Sequence, residues 1–334
     1  MNNEPTDTMS KQLFSFIGDL ITTDEQLQLP IKLFDGFYLK KASPEQITII
    51  RNFITSHSHS TAFSDHHNKY QTTYTKNGKD GYNLNPITNI DDWKYCVIEY
   101  SKINASATLV IQPVLSLSSL DLTILFEVMM WHATTDGGYV PGIGQMRLRT
   151  LNYIHDTECE CPPQTKTITN QSIEELNCIN SLLSQFDKTR FPFIDKALAD
   201  FASIKDISKQ SPFKILSCFS TLELLLTTYR RSKTDSLSHQ LKKKINLLNN
   251  QFENKIEIQN YFKGSDQNTL ETLVGKLYDY RNDIAHGNSS DFENDLQILG
   301  NSKENILSFL LELLRRILIF ALKQPQLVAD LKAC

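Results

Sequence analysis

Near the C-terminal end of the sequence, the run Tyr280-Arg281-Asn282-Asp283-Ile284-Ala285-His286-Gly287 sets a guanidinium five residues ahead of an imidazole. An arginine offers a rigid fork of N–H donors that matches paired phosphoryl or carboxyl oxygens. A histidine titrates near neutrality and can take or give a proton. Asn282 and His286 are four apart, so they share a helix face one turn from each other. Arg281 and His286 lie about 140° apart around an ideal helix, and the arginine arm must wrap to reach the imidazole. Glu223, one carboxylate in the apolar run Leu216-Ser217-Cys218-Phe219-Ser220-Thr221-Leu222-Glu223-Leu224-Leu225, is the second candidate. Such a group is either an exposed position on a helical stripe or a buried partner for a cation. The plain structural alternative is that Arg281 pairs with Glu223 or Asp279, and that His286 is a polar residue at a helix end.

A helix has to carry these groups. Leu270, Leu273, Val274, Leu277, Ile284 and Ala285 recur at helical spacing and predict a helix over 268–286. Gly287 followed by Asn288 is a stop signal, because glycine accepts the left-handed backbone that ends helices. His286 then sits in the last turn, where the macrodipole favours a cation. The same texture fills the second half of the chain, with helices predicted near 172–187, 193–205, 212–229, 235–249 and 303–323. Ser172 with Glu175 three residues on predicts a capping box at the first of them.

Arg281-Asn282 and His286, on the last turn of a helix within a helical region, resemble the signature of the higher-eukaryote and prokaryote nucleotide-binding (HEPN) superfamily. That motif is an arginine, four to six residues, then a histidine, with a polar residue often directly after the arginine. Leu277-Tyr278-Asp279-Tyr280 before the motif, Gly287 after it and Glu223 in an earlier apolar helix are similar to the Apea-like branch of bacterial defence proteins. The resemblance covers roughly residues 170–325. It implies a metal-independent endoribonuclease that needs no cofactor: the ribose 2′-OH attacks its own phosphate, with Arg281 and His286 as the catalytic pair. It further implies a homodimer through the HEPN domain, since one chain supplies one such histidine and two motifs must line one cleft. Asn282 is expected to orient the scissile phosphate or the His286 ring, and Glu223 to line the site. The implied target is RNA, with a tRNA anticodon loop favoured because it is single-stranded and splayed. The implied setting is anti-phage defence or a toxin system, with a phage-derived trigger or an antitoxin as partner. Some members with this fold only bind nucleotides or RNA, or scaffold a partner. Toxins of the family paired with a nucleotidyltransferase often carry a tyrosine two residues after the histidine; here that position is Asn288, so modification through that site is not expected. Arg230, Arg231, Lys233, Lys242, Lys243 and Lys244 form two basic clusters that are ordinarily solvated faces but here could guide RNA phosphates.

Bulk charge does not carry RNA binding. Residues 1–170 hold 13 Lys and Arg against 18 Asp and Glu, a balance of −5, and residues 171–334 hold 21 against 20, a balance of +1. No uninterrupted apolar stretch of about 18 residues marks a membrane span. The richest run, Ile306 to Leu322, carries Glu312, Arg315 and Arg316 and reads as an amphipathic core helix. The first thirty residues lack the basic start and apolar centre of a secretory signal, and the protein is expected in the cytoplasm, with no membrane partner. Six scattered cysteines are no disulfide framework; Cys178 and Cys218 sit in helical apolar patterns as small hydrophobes.

The first half has a different texture. Gly36–Lys40, Lys94–Tyr100 and Ala107–Leu117 read as strands, and Ser43-Pro44-Glu45 as a helix start followed by Ile47, Ile50 and Ile54. Leu120–Trp131 is a buried apolar run of either type, and Asp136–Gly144 a glycine-rich turn. That turn is neither a Walker A loop nor a dinucleotide fingerprint, although Arg147 and Arg149 follow it. His57, His59, His66 and His67 with Asp65 read as a polar loop, lacking the spacing of a zinc site; His155, Cys159 and Cys161 lack a fourth ligand. No metal site is expected. Glu158-Cys159-Glu160-Cys161-Pro162-Pro163 suits a linker. The fold class is therefore expected to be α+β: a mixed α/β sensor or interaction domain over 1–165, then an all-α HEPN helical bundle over 166–334.

Overall fold

The computed structural model describes residues 13–57, 69–78, 81–100, 107–132, 139–146, 163–228, 236–262, 269–287 and 303–334. The fold is α+β, and the chain divides into two compact units, Met1–Ser181 and Leu182–Cys334. The histidine-rich loop 58–68, Arg147, Arg149, His155, Cys159 and Cys161 lie outside the described residues.

In the first unit a six-stranded antiparallel sheet has the order β3-β4-β7-β1-β8-β9. Its strands are β1 (Phe14–Ile17), β3 (Ile31–Phe34), β4 (Phe37–Lys41), β7 (Cys96–Tyr100), β8 (Ile124–His132) and β9 (Tyr139–Met146). Phe14-Ser15-Phe16-Ile17 is buried throughout because β1 lies inside the sheet, between β7 and β8. One face presents Phe14, Phe16, Val97, Phe126 and Val128 to Ile47, Ile50 and Ile54 of helix α1 (Pro44–His57), with Tyr70 and Tyr95 completing the core. Ser15 stands opposite Glu127 in the alternate register, and the Tyr100 hydroxyl donates to Glu127 Oε1 at 2.9 Å. A buried carboxylate in the sheet is thereby hydrogen-bonded. A separate hairpin joins β5 (Thr72–Asn77) to β6 (Gly81–Pro86).

Two expectations need correction here, and one run left open takes its type. Ala107–Leu117 is a helix, α2, not a strand. Its β-branched residues misled, but Ile111, Val114 and Leu115 are buried at helical spacing, α2 packs on β8, and Pro113 would have broken a central ladder. The glycine-rich turn ends earlier than expected: from Tyr139 onward the chain is β9, paired with β8. Gly144 has the reason of a close approach, since a Cβ there would lie 2.2 Å from Met129 Sδ. The ambiguous run Leu120–Trp131 resolves into a turn and β8.

The boundary expected at 165 does not coincide with the division of the structure, which falls within helix α3 (Asn170–Gln185). Strand β10 (Thr165–Ile168) pairs in parallel with β2 (Leu20–Thr23), and Lys166 Nζ meets Asp19 at 3.3 Å, so the chain after the proline pair is still held by the first unit. At the start of α3 the cap is Thr169, not Ser172. The Thr169 hydroxyl accepts from the Ser172 amide at 3.2 Å, and the Ser172 hydroxyl accepts from the Thr169 amide at 3.2 Å. Glu175 is instead engaged by the Ser119 amide at 3.1 Å.

Among its described residues the second unit is helical, as expected: α4 (Pro192–Ile204), α5 (Phe213–Leu226), α6 (Leu237–Gln251), α7 (Leu270–His286), α8 (Lys303–Lys323) and α9 (Pro325–Ala333). Helix α5 touches α4, α6, α7, α8 and α9. It can do so because Ile215, Cys218, Phe219, Leu222, Leu225 and Leu226 leave it apolar on most sides, the pattern of a core helix. Each of the isoleucine, leucine and phenylalanine side chains among them, withdrawn from water, contributes about 1.5–3 kcal/mol. Cys218 is buried with its thiol pushed up to about 12, an inert core group, whereas Cys178 is exposed, against expectation. No helix among the described residues is long and apolar enough to cross a membrane.

The chain leaving α5 is pinned by side chains of α6 and α9. Gln240 accepts from the Thr228 amide and donates to the Thr228 carbonyl, both at 3.1 Å, and so acts like one rung of a sheet. Lys244 donates to the Leu226 carbonyl at 2.9 Å, and Lys332 to those of Leu224 and Thr227. These bonds satisfy carbonyls that a helix end leaves open. Gln240→Leu keeps the volume but strips Thr228 of both partners. It is expected to cost about 1–3 kcal/mol in a urea-unfolding measurement; an unchanged midpoint would mean that the pin carries no weight.

Candidate functional site

Helix α7 opens on Thr269, whose hydroxyl accepts from the Thr272 amide at 3.2 Å. Leu270, Leu273, Val274 and Leu277 are buried as expected; the stripe fades beyond them, with Ile284 half-buried and Ala285 exposed. Gly275 lets α6 come close: a Cβ there would stand 3.2 Å from Lys242 Cδ. The helix ends on Gly287 at φ 68° and ψ 20°, its amide donating to the carbonyls of Asp283 and Ile284, which is the expected left-handed stop.

At the C-terminal half of α7 and facing α5, four side chains meet. Arg281 Nη2 donates to Glu223 Oε2 at 3.0 Å, and the Tyr278 hydroxyl donates to Glu223 Oε1 at 2.8 Å. The guanidinium carbon lies 5.3 Å from the centroid of the Tyr278 ring. Phe219 meets that ring edge-on, with centroids 5.6 Å apart and planes at 83°. Spacing explains the meeting: Phe219 and Glu223 are four apart on α5, Tyr278 and Arg281 three apart on α7, so each pair shares a face. The ionised pair is mostly withdrawn from water, with side-chain exposures of 18% for Arg281 and 17% for Glu223. Removing either partner would leave a partly buried charge uncompensated.

Arg281 is held at both ends of its fork, since Nη1 donates to Asn282 Oδ1 at 3.0 Å. Its Nε is buried and meets no acceptor among the described residues. Burial, reinforced by the Glu223 carboxylate that accepts its proton, pushes the Tyr278 hydroxyl up to about 12, so near neutrality it is a donor. His286 stands exposed in the last turn of α7. The structure thus brings Glu223, Arg281 and Asn282 together, on the partner-of-a-cation alternative for Glu223. It leaves His286 one turn beyond them, on the same helix.

The basic clusters fare differently. Arg230, Arg231 and Lys233 lie outside the described residues. Lys243 is exposed, and the stem of Lys242 lies against Gly275. Lys244 is not a surface cation: it is buried and engaged with the Leu226 carbonyl, and with that of Lys332 at 3.4 Å. Tyr278 and Phe219 were not singled out from sequence. The signal for Tyr278 was its position three residues before Arg281; for Phe219 it was the four-residue step to Glu223.

Compared with known proteins, the chain matches no family model, no curated protein and no solved structure.

A tyrosine hydroxyl raised above its ordinary value of 10.0 binds its proton more tightly in the folded chain. Its contribution to stability is full below about pH 10 and is lost as pH rises toward about 12. Between those values the wild type is expected to lose stability more steeply than Tyr278→Phe, and Glu223→Gln to bring the phenolate absorbance step of Tyr278 to lower pH. Parallel alkaline stability curves for wild type and Tyr278→Phe would contradict this.

Proposed function

We propose that the second unit is a ribonuclease domain of the HEPN type: a metal-independent endoribonuclease that cuts RNA, with tRNA as the favoured target. The observation that carries the reading is the motif arginine, braced on α5 through Glu223, on the helix whose left-handed stop follows the motif histidine. In this reading His286 takes the proton of the ribose 2′-OH as that oxygen attacks the adjacent phosphorus, and the 5′-oxygen leaves with a proton from the second histidine of a homodimer. Arg281 offers its fork to the phosphoryl oxygens, where negative charge builds in the transition state. The products are a 2′,3′-cyclic phosphate and a 5′-hydroxyl. An exposed imidazole at the end of a helix is suited to such work because substrate can reach it. The mixed α/β unit would serve as sensor or interaction domain, in an anti-phage or toxin setting with a phage-derived trigger or an antitoxin as partner.

One observation favours a second reading. Arg281 already has a carboxylate partner, as a cation with a purely structural role would. In that case the domain binds nucleotide or RNA, or scaffolds a partner, without cutting.

Incubation of the purified chain with total tRNA in EDTA separates the two. Cleavage to cyclic-phosphate and 5′-hydroxyl ends is expected, falling by about 100-fold or more in His286→Ala and Arg281→Ala. A dimer is expected on sizing chromatography. RNA bound but left whole would favour the binding module, and a monomer that cleaves at full rate would refute the two-histidine site.

A further inference from the structure

We infer that Tyr278 is a positioning residue of this site, acting through Glu223: its hydroxyl fixes the carboxylate that aims the Arg281 guanidinium. The inference rests on the ribonuclease reading above.

A glutamate carboxylate turns freely about its last torsion, which has broad, roughly twofold preferences. Left alone beside an arginine, it meets the fork with both oxygens. Here that arrangement is not the one adopted. Oε1 accepts from the Tyr278 hydroxyl at 2.8 Å, and only Oε2 faces Arg281, through Nη2 at 3.0 Å. Beneath the guanidinium the same tyrosine supplies a ring, itself braced edge-on by Phe219. One residue therefore sets both the plane of the guanidinium and the share of it that Glu223 takes.

The hydrogen inventory shows what this arrangement leaves available. Of the donors on Arg281, one on Nη1 goes to Asn282, one on Nη2 goes to Glu223, and that on Nε is buried. Among the described residues, what remains for an anion is one N–H on each terminal nitrogen. A phosphoryl group would meet Arg281 through its terminal nitrogens, not through the buried Nε. Were Glu223 free to swing and take both terminal nitrogens, these donors would be lost. Tyr278 itself is protonated near neutrality and does not serve as the base.

Tyr278→Phe keeps the ring and removes the hydroxyl. With tRNA as substrate, kcat is expected to fall about tenfold with KM within about twofold, the size of one hydrogen bond to a charged group. Both limbs of the pH–rate profile should keep their positions. In a Glu223→Ala background, adding Tyr278→Phe should change the rate by less than about twofold, because the residue through which it acts is gone. Equal losses in the two backgrounds, a lost pH limb, or an unchanged kcat would each overturn the inference. A second readout needs no catalysis: nitrogen-15 spectra of the arginine side chains, with Arg281 assigned through Arg281→Lys. Separate Nη–H signals for a guanidinium held in place are expected in the wild type, merging in Tyr278→Phe. Signals that stay separate would overturn the inference even if the wild type cuts no RNA. A wild type that cuts no RNA but shows the merging would sink only the ribonuclease reading.

Discussion

A carboxylate placed in the most buried helix of a bundle has few ways to exist. Glu223 has leucines directly before and after it in α5, and water reaches little of its side chain. Without a cation it would have to take up a proton or draw in solvent, either of which costs more than an ordinary surface contact gains. Arg281 answers that demand from α7. The answer also fixes register, since Tyr278 and Arg281 must both face α5, and sliding α7 by one residue would swing them away by about 100°. The pair therefore decides how two helices sit together, and the motif-bearing turn inherits that decision.

The same pair creates a tension between holding and acting. A guanidinium that neutralises a partly buried carboxylate has less charge to lend to a phosphate, yet it is also held still, and a fixed dipole needs no reorganisation when charge develops nearby. The four-residue cluster resolves part of this. Glu223 is shared between a hydroxyl and a guanidinium, so each takes one oxygen. Arg281 is gripped at two nitrogens and by a ring. His286, by contrast, stands exposed in the last turn, just ahead of the glycine that ends the helix. The site as it stands pairs one rigid group with one that is open to solvent.

The helical half was legible because its signals agree: periodic apolar positions, starts marked by capping residues and stops marked by glycine all fall together, and α8 runs Lys303–Lys323 as read. Glu223 and Arg281 were legible as candidates because a lone carboxylate and a spaced Arg–His pair are rare in apolar helices. Their contact was legible only as one alternative, since which faces oppose is set by packing between distant segments. Helix α2 misled because its β-branched residues have strand propensity, and tertiary burial overrode it. Lys244 misled because a run of lysines reads as solvated, while the third of them faces the end of α5 and meets its open carbonyls. Ser172 misled by three residues: both it and Thr169 carry a hydroxyl, and the earlier one took the cap.

Lys332 belongs to α9, and its ammonium meets carbonyls on either side of the α5 terminus, those of Leu224 and Thr227. Leu224 is the residue next to Glu223. Helix α9 is thus a latch on the carboxylate's own turn, and a force that drew it away would release the backbone that carries Glu223.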